Sequence, residues 1–177
     1  AYYQLLPTNS LFVELLPHLE KHWRELAEYA QDRAALAGVL SARRQRSREY
    51  FDRHAGQWDQ MAREFLPMPE YLPQLLALVP DCVKLLEVGV GTGSVLAAVS
   101  AKAEQVIGVD HSLSMLDAAR EANSPYQNVE LKLGQMESLP QQSGSVDVAL
   151  INMVLHHASD PTVEVAELSR VLRPGGS

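Results

Sequence analysis

Apolar residues follow two different periods along this chain, and the change falls near residue 80. Before it, they recur at steps of three and four residues, the spacing of one face of an α-helix. A first apolar stripe comprises Phe12, Leu15, Leu16, Leu19, Trp23, Leu26 and Ala30. Ser10 can cap this helix, and Pro17 predicts a kink or the true first turn. Further helices are predicted from a cap at Asp32 to Phe51, and over residues 58–65.

After residue 80, short apolar runs alternate with helical patterns, which is typical of a parallel sheet with helices on both faces. Strands are predicted over 83–88, 105–110, 129–133 and 146–151, and helices over 94–102, 114–122 and 161–172. Strict alternation over 129–133 indicates a strand at the sheet edge. Ser114 with Asp117 resembles a capping box, and Asp160 with Pro161 should begin the last helix. The sequence therefore predicts an α/β fold preceded by an α-helical extension.

Charge and cysteine content narrow the functional classes. The net charge of −7 falls on residues 65–177, because residues 1–64 balance. An acidic domain is a poor partner for nucleic acid, so a small neutral or cationic substrate fits better. The single cysteine, Cys82, excludes an internal disulfide and a thiolate zinc cluster and favours a cytoplasmic protein without a metal site. No apolar stretch predicts a membrane span, and residues 1–4 lack the features of a signal peptide.

A glycine-rich segment, Glu87-Val88-Gly89-Val90-Gly91-Thr92-Gly93, lies where the first strand ends and the next helix begins. Glycine lets the backbone turn sharply and lets a ligand lie against it, and ligands bind at this end of a parallel sheet. The third glycine comes one residue earlier than in the dinucleotide-binding pattern G-x-G-x-x-G. The segment therefore predicts a ligand site that differs from a nicotinamide site.

This segment resembles the first motif, E-x-G-x-G-x-G, of class I S-adenosylmethionine-dependent methyltransferases. Asp110 with the following His111-Ser112-Leu113-Ser114-Met115-Leu116 is similar to the family's D-x-S-x-x-M-L continuation. Residues 134–140 resemble the segment that frames the adenine. Residues 152–157 and 171–176 resemble those of the menaquinone and ubiquinone methylase branch, which acts on small molecules. The resemblance covers about 46–177 and implies a Rossmann-like parallel sheet, of which the first four strands are present here.

The resemblance implies S-adenosylmethionine as cofactor and S-adenosylhomocysteine as its product. The cofactor-binding residues that it implies are Glu87, Gly89, Gly91, Gly93, Asp110, His111, Gln135, Met136, Asn152 and Tyr50. Asp110 would accept hydrogen bonds from both ribose hydroxyls, and Glu87 would orient the loop near the methionine amino group. Met136 would flank the adenine, whereas Gln135 stands where the family usually has Asp, so its contact lacks charge. Residues 50–59 are implied to fold over the cofactor.

Plainer structural roles remain open for the same residues. The glycines could form only a tight turn, Asp110 could cap a helix, and Glu87 could be a buried structural acid. His156 and His157 are candidates for a general base, because a neutral imidazole accepts a proton near pH 7; one of such a pair commonly only lines a pocket. The favoured function is methyl transfer to a small-molecule acceptor. The alternatives are a regulator domain that senses S-adenosylmethionine or S-adenosylhomocysteine without turnover, and a nicotinamide dehydrogenase, which the glycine spacing disfavours.

Residues 1–31 resemble the tail of an ArsR-type winged-helix repressor domain, including the helix that pairs two protomers. This resemblance predicts a homodimer through the apolar stripe, with DNA bound only by a domain outside this chain; the alternative is that the stripe packs on the chain's own methyltransferase domain. Residues 32–80 would be a helical lead-in over the cofactor site, and 81–177 the Rossmann-like core. Because the family sheet has seven strands, residues 146–151 would form an exposed apolar edge, which folded proteins avoid. We therefore expect that this chain is a piece of a longer protein or that another chain covers this edge.

Overall fold

The structure, a computed structural model, describes residues 10–65, 68–158 and 160–177. The chain forms two compact units, Ala1–Gln45 and Arg46–Ser177, and the second unit contains the sheet. The elements are α1 Ser10–Arg24, α2 Ala27–His54, α3 Trp58–Phe65, α4 Met68–Leu78, β1 Cys82–Val88, α5 Leu96–Val99, β2 Ala103–Asp110, α6 Leu113–Ala122, β3 Val129–Leu133, β4 Val148–Ile151 and α7 Pro161–Val171. Short 3-10 turns cover Ala55–Gln57 and Leu155–His157.

The first two helices differ from the prediction at their ends. α1 ends at Arg24 and α2 begins at Ala27, so Asp32 lies inside α2 and the predicted cap there was wrong. Residues 27–36 contain no glycine or proline and include good helix formers, so nothing ends the helix at Asp32. Pro17 lies inside α1, beyond its first turn. No helix in the described part of the chain is long and apolar enough to cross a membrane.

Two shorter helices lead to the sheet. α3 confirms the helix that was predicted over 58–65, whereas α4 was not predicted. Residues 66 and 67, between these two helices, lie outside the described chain. Pro69 falls in the first turn of α4, where a helix does not need its backbone N–H. Proline there is compatible with a helix start.

Four parallel strands form one sheet in the order β3-β2-β1-β4. β1 is central, because Val88 at its end is in register with Val109 of β2 and with Ile151 of β4. The carboxyl ends of these three strands therefore lie side by side. β3 occupies an edge, as its alternating pattern predicted. The predicted four-stranded parallel sheet is confirmed.

Both faces of the sheet are buried beneath helices. Leu85 of β1 packs into one apolar cluster and its neighbour Leu86 into the other, because successive side chains of a strand point to opposite faces. The first cluster includes Leu96 of α5 and Leu116 of α6, and the second includes Val171 of α7. The predicted helices on both faces are thus confirmed. Each large aliphatic side chain fully buried in these clusters stabilises the fold by roughly 1.5–3 kcal/mol.

The helix after β1 is shorter than predicted. Residues 94–102 were expected to be helical, but α5 is a single turn. The side-chain amide of Asn128 donates hydrogen bonds to the carbonyl oxygens of Ser100 and Ala103, both at 2.9 Å. These bonds hold the chain in the turn that leads directly from α5 into β2. The prediction missed them because Asn128 is distant in sequence.

The start of α6 also differs from the prediction. Ser112 caps the helix: its backbone is extended, and its Oγ accepts a hydrogen bond from the backbone N–H of Met115 at 3.1 Å. Ser114 already lies inside α6, so the predicted capping box with Asp117 was wrong. The predicted cap of α7 is confirmed, since the Asp160 carboxylate accepts from the backbone N–H of Thr162 at 3.0 Å.

β4 lies at the open edge of the sheet, yet its apolar side chains are not exposed. Val148 and Leu150 are buried, and so is Val146 just before the strand. The expectation of an exposed apolar edge was wrong for these side chains, because they project toward the faces of the sheet, where helices cover them. Only backbone groups point along the edge, and there the carbonyl oxygen of Ser177 accepts from the N–H of Ala149 at 2.8 Å.

Candidate cofactor-binding and active site

A cavity of about 840 Å³ lies at the carboxyl ends of β1, β2 and β4. Successive strands are added to one side of β1 as far as β3 and then, with β4, to its other side, and open parallel sheets bind ligands where the strand order reverses in this way. The volume falls within the range of roughly 300–1,000 Å³ that is usual for ligand sites. Its walls come from the loop after β1, the end of β2, the loop after β4, and the segment from α2 to α4.

The loop after β1 follows the carboxyl end of β2 closely. The backbone N–H groups of Gly89 and Val90 both donate to the carbonyl oxygen of Val109, at 2.7 and 3.1 Å. Gly89 has a φ of +71°, and a Cβ added there would meet Val154 Cγ2 at 2.2 Å. Gly91, with a φ of +54°, faces open space, since the nearest atom to an added Cβ is a Trp58 nitrogen at 4.0 Å. Gly91 therefore leaves its backbone accessible from the cavity.

Gly93 has a different role. It does not line the cavity, and an added Cβ would meet the Asn123 Nδ2 atom at 2.4 Å. That amide donates to the carbonyl oxygens of Gly93 and Ala119, both at 3.0 Å, and is buried. Gly93 thus lets the loop approach the end of α6. A cofactor contact at Gly93 stays a prediction.

The carboxylate of Asp110 connects the loop after β1 with the loop after β2. Its Oδ2 accepts from the backbone N–H of Gly91 at 2.8 Å, and its Oδ1 accepts from the backbone N–H of Ser112 at 2.9 Å. Asp110 is buried but lines the cavity. Because each carboxylate oxygen has a second lone pair, both can still accept hydroxyl hydrogen bonds. The geometry is compatible with the predicted ribose contact.

Glu87 is the most perturbed acid at the cavity. Its side chain is 3 % exposed, and burial, with a smaller contribution from the Asp110 carboxylate, raises the pKa of Glu87 to about 8. Within the described residues, Glu87 Oε2 and His111 Nε2 are both buried without a hydrogen-bond partner, and both residues line the cavity. An acceptor and a ring nitrogen that lack partners at one cavity fit a polar ligand between them. The residues present therefore fit S-adenosylmethionine, which carries ammonium, ribose and adenine groups.

The loop after β4 forms the opposite wall and contains three predicted site residues. Asn152 lines the cavity, and its amide donates to the Tyr71 hydroxyl at 3.3 Å. His156 and His157 also line it, with ring centroids 4.0 Å apart, but both are exposed. Met153 adopts a φ of +56°, a strained conformation for a residue with a side chain. No sequence pattern indicated this strain.

The structure brings together most of the predicted site residues. Those that line the cavity are Glu87, Gly89, Gly91, Asp110, His111, Met136, Asn152, His156 and His157. Tyr50 and Gln135 do not line it: Tyr50 is exposed beside Phe51, and Gln135 is exposed and pairs with Ser138. Phe51 lines the cavity instead of its neighbour. Their cofactor contacts stay predictions.

Sequence reasoning gave no role to several other cavity residues. Thr92 and Asp59 meet through a side-chain hydrogen bond of 2.5 Å, and Tyr71 reaches the cavity from α4. The segment that contains Asp59 was expected over the cofactor, but no pattern identified its partner. Tyr71 was missed because α4 itself was not predicted.

Comparison with known proteins identifies the family. Residues 86–177, more than half of the chain, match the family described as a methyltransferase domain. The chain belongs to this methyltransferase family. The predicted class I methyltransferase fold is confirmed, and so is S-adenosylmethionine as the cofactor that the family uses. The match excludes the nicotinamide dehydrogenase alternative. It begins at residue 86, so the resemblance of residues 1–31 to a repressor tail stays a prediction.

Individual relatives of this methyltransferase domain are similar over about half of the chain. An uncharacterised 37.1 kDa protein in transposon TN4556 of Streptomyces fradiae is 40% identical over 94 residues, 51% of this chain and 27% of that protein. Demethylmenaquinone methyltransferase of Staphylococcus aureus is 35% identical over 97 residues, 53% of this chain and 40% of that protein. A SAM-dependent methyltransferase from Aquifex aeolicus is 25% identical, with a TM-score of 0.54 over 58% of each chain. The chain spans less than half the length of these curated relatives.

Proposed function

We propose that this chain binds S-adenosylmethionine at the ends of β1 and β2 and serves methyl transfer to a small-molecule acceptor. The observation that supports this most is the pair of buried acidic side chains, Glu87 and Asp110, beside a glycine loop whose backbone faces one cavity. Side-chain oxygens at these places can accept hydrogen bonds from an ammonium group and from ribose hydroxyls. When bound, S-adenosylmethionine supplies a methyl group already activated on a sulfonium. The protein then mainly aligns the acceptor and excludes water.

The remaining cavity wall suits a small acceptor without negative charge. Opposite the glycine loop the wall combines aromatic and thioether side chains with a few polar groups, among them Phe51, Tyr71, Asn152, Met153 and His156. Such mixed walls are typical of small-molecule sites. Asp59 and Glu70 at the cavity outnumber the single guanidinium of Arg63, so the local charge disfavours anions. His156 and His157 line the same wall as exposed side chains.

Transfer of a labelled methyl group tests this proposal. The full-length gene product is incubated with methyl-tritiated S-adenosylmethionine and pooled neutral and cationic small molecules, and organic-extractable or cation-exchanged label is counted. We expect label to move to a small molecule and S-adenosylhomocysteine to accumulate. Binding of the cofactor with no transfer to any pool would contradict the proposal and favour the sensing function. Label that moves to nucleic acid or protein would contradict the small-molecule acceptor.

We propose further that α1 pairs two copies of the chain. Four apolar side chains of α1, Val13, Leu15, Leu19 and Trp23, are each between 37% and 50% exposed, and clustered apolar surface usually marks a partner. Trp23→Glu with Leu16→Glu should shift the assembly toward monomer and leave S-adenosylhomocysteine affinity unchanged. Light scattering that reports one mass for wild type and double variant would contradict the pairing.

A further inference from the structure

Residues 50–59, the roof segment, line one side of the cavity. It runs from the end of α2 through a 3-10 turn into α3. Its side chains Phe51 and Trp58 line the cavity, and the Phe51 ring lies edge-on to Trp58, with centroids 5.2 Å apart. The same ring lies edge-on to His111 after β2 at 5.7 Å and to His157 after β4 at 5.3 Å. Phe51 thus contacts both side walls of the cavity.

Two carboxylates of the roof segment accept hydrogen bonds from the loop after β1 and from the loop after β2. The Thr92 hydroxyl, between Gly91 and Gly93, donates to Asp59 Oδ1 at 2.5 Å. The Ser112 hydroxyl donates to Asp52 Oδ1, also at 2.5 Å. Hydroxyl hydrogen bonds to carboxylates of this length are charge-assisted and among the stronger ones in proteins.

The Ser112 hydroxyl has a fixed orientation. Its oxygen already accepts from the backbone N–H of Met115, as the cap of α6, so its hydrogen is directed elsewhere and is donated to Asp52. Ser112 and Thr92 are both buried, whereas Asp52 is half-buried and Asp59 is exposed. Water can therefore reach the carboxylate side and replace either bond. A bond of this kind can open and close, as the closing elements of active sites must.

We propose that Asp52 and Asp59 are positioning residues that hold the roof segment closed over the cofactor, one bonded to the loop after β1 and the other to the loop after β2. Through Phe51 and Trp58 they set how slowly the cofactor leaves. This inference rests on the cofactor site of the proposed function. It does not depend on which acceptor is methylated.

Dissociation of S-adenosylhomocysteine, measured by stopped flow, tests the inference. In a Trp23→Phe background Trp58 is the only remaining tryptophan, since the chain has two, and its fluorescence and acrylamide quenching report the roof segment. The variants are Asp52→Ala with Asp59→Ala, and the conservative pair Asp52→Asn with Asp59→Asn, which keeps an acceptor oxygen but not the charge. Asp81→Ala is the matched control. The Asp81 side chain is 86% exposed, and its ion pair with Lys102 lies where β1 and β2 begin, at the opposite end of the sheet.

We expect the double alanine variant to release S-adenosylhomocysteine about tenfold faster or more, because two charge-assisted hydrogen bonds are lost. Trp58 should become more accessible to acrylamide, the asparagine pair should fall between wild type and the alanine pair, and Asp81→Ala should match wild type. If the alanine pair does not fold, Asp59→Asn alone should still release the ligand faster than wild type.

Other outcomes distinguish the inference about the roof segment from the proposed function. A dissociation rate within twofold of wild type, in a folded variant, would overturn the inference. So would an equal acceleration in Asp81→Ala, because the effect would then come from general destabilisation. Wild-type protein that does not bind S-adenosylhomocysteine at all would instead overturn the proposed function, and the two failures are therefore distinguishable.

Discussion

The loop after β1 and the loop after β4 face each other across the cavity, and they are built differently. In the first, residues 89–93, glycines with positive φ let the backbone bond to Val109 and to the buried Asp110. In the second, residues 152–157, the only non-glycine residue with positive φ in the described chain, Met153, precedes two exposed histidines. The first loop thus has three glycine conformations and buried hydrogen bonds, whereas the second presents exposed side chains to the cavity. We expect the loop after β1 to be the fixed half of the site, which holds the cofactor, and the loop after β4 to be the adaptable half, which meets the acceptor.

The largest effect on stability is expected where Gly89 of the loop after β1 packs against Val154 of the loop after β4. An alanine at Gly89 would be strained at a φ of +71° and would overlap the stiff Val154 side chain, whereas an alanine at Gly91 would be strained without a clash. We expect Gly89→Ala to lower the free energy of unfolding by about 2–5 kcal/mol. Gly91→Ala should cost about 1–3 kcal/mol, from strain alone. Chemical denaturation measures both.

Relief of the clash provides the control for this prediction. Val154→Ala in the Gly89→Ala background removes the atoms that overlap, so it should restore part of the lost stability. If Gly89→Ala and Gly91→Ala were equally stable, the loops would not be packed as described. The distinction between the fixed and the adaptable half would then fail at its contact point.

The second prediction concerns the pH dependence of stability. Because the pKa of Glu87 is raised from 4.5 to about 8, the folded protein keeps a proton that the unfolded chain releases above about pH 4.5. Glu87 therefore makes stability fall as the pH rises from about 4.5 to about 8, by at most about 1.4 kcal/mol per pH unit, and not further above that. Glu87→Gln should remove this slope, as measured by urea denaturation across the pH range.

The matched control for Glu87 is Glu104→Gln, which changes an exposed acid at the start of β2. This variant should keep the wild-type slope. A wild-type stability that stays constant or rises between pH 5 and 8, with Glu87→Gln parallel to it, would show that Glu87 is ionised in the folded protein. The cavity would then be more polar than its burial indicates.

The third prediction concerns ligand affinity at the fixed half of the site. Asp110→Ala removes the carboxylate that can accept ribose hydroxyls and that holds the Gly91 N–H. We expect S-adenosylhomocysteine binding to weaken by about 1–3 kcal/mol, the range for a lost hydrogen bond to a charged group. Calorimetric titration measures it. An unchanged affinity would place the ligand elsewhere than at the end of β2.

The smallest effect on S-adenosylhomocysteine affinity is expected from a substitution in the loop after β4. His156→Ala removes an exposed side chain of the loop after β4, so S-adenosylhomocysteine affinity should change less than about threefold, as for most surface substitutions. The same titration tests this. A loss as large as that of Asp110→Ala would show that the second loop also holds the cofactor.

The same contrast explains how much the sequence could predict. Strand positions and the glycine loop follow from local patterns, and all four predicted strands were found within a few residues. Asp110 and Glu87 were identified because their distance from the glycines is a family pattern. Boundaries that depend on distant partners were missed, as with the short α5, whose end is held by Asn128.

The roof segment marks the limit of prediction from sequence. Its location over the cavity was expected, but the bonds of Asp52 to Ser112 and of Asp59 to Thr92 join residues far apart in the chain. No local period specifies such pairs. Tyr50 was predicted at the site, but it is Phe51 that lines the cavity. A difference of one residue on a helix changes the face by about 100°.

Calorimetric titration of the wild-type chain with S-adenosylhomocysteine, alongside NAD, tests the central claim most directly. One S-adenosyl ligand should occupy the cavity between Glu87, the glycine loop and Asp110. We therefore expect saturable binding of one S-adenosylhomocysteine per chain and no saturable binding of NAD. An absence of S-adenosylhomocysteine binding, or NAD binding of equal or higher affinity, would contradict it.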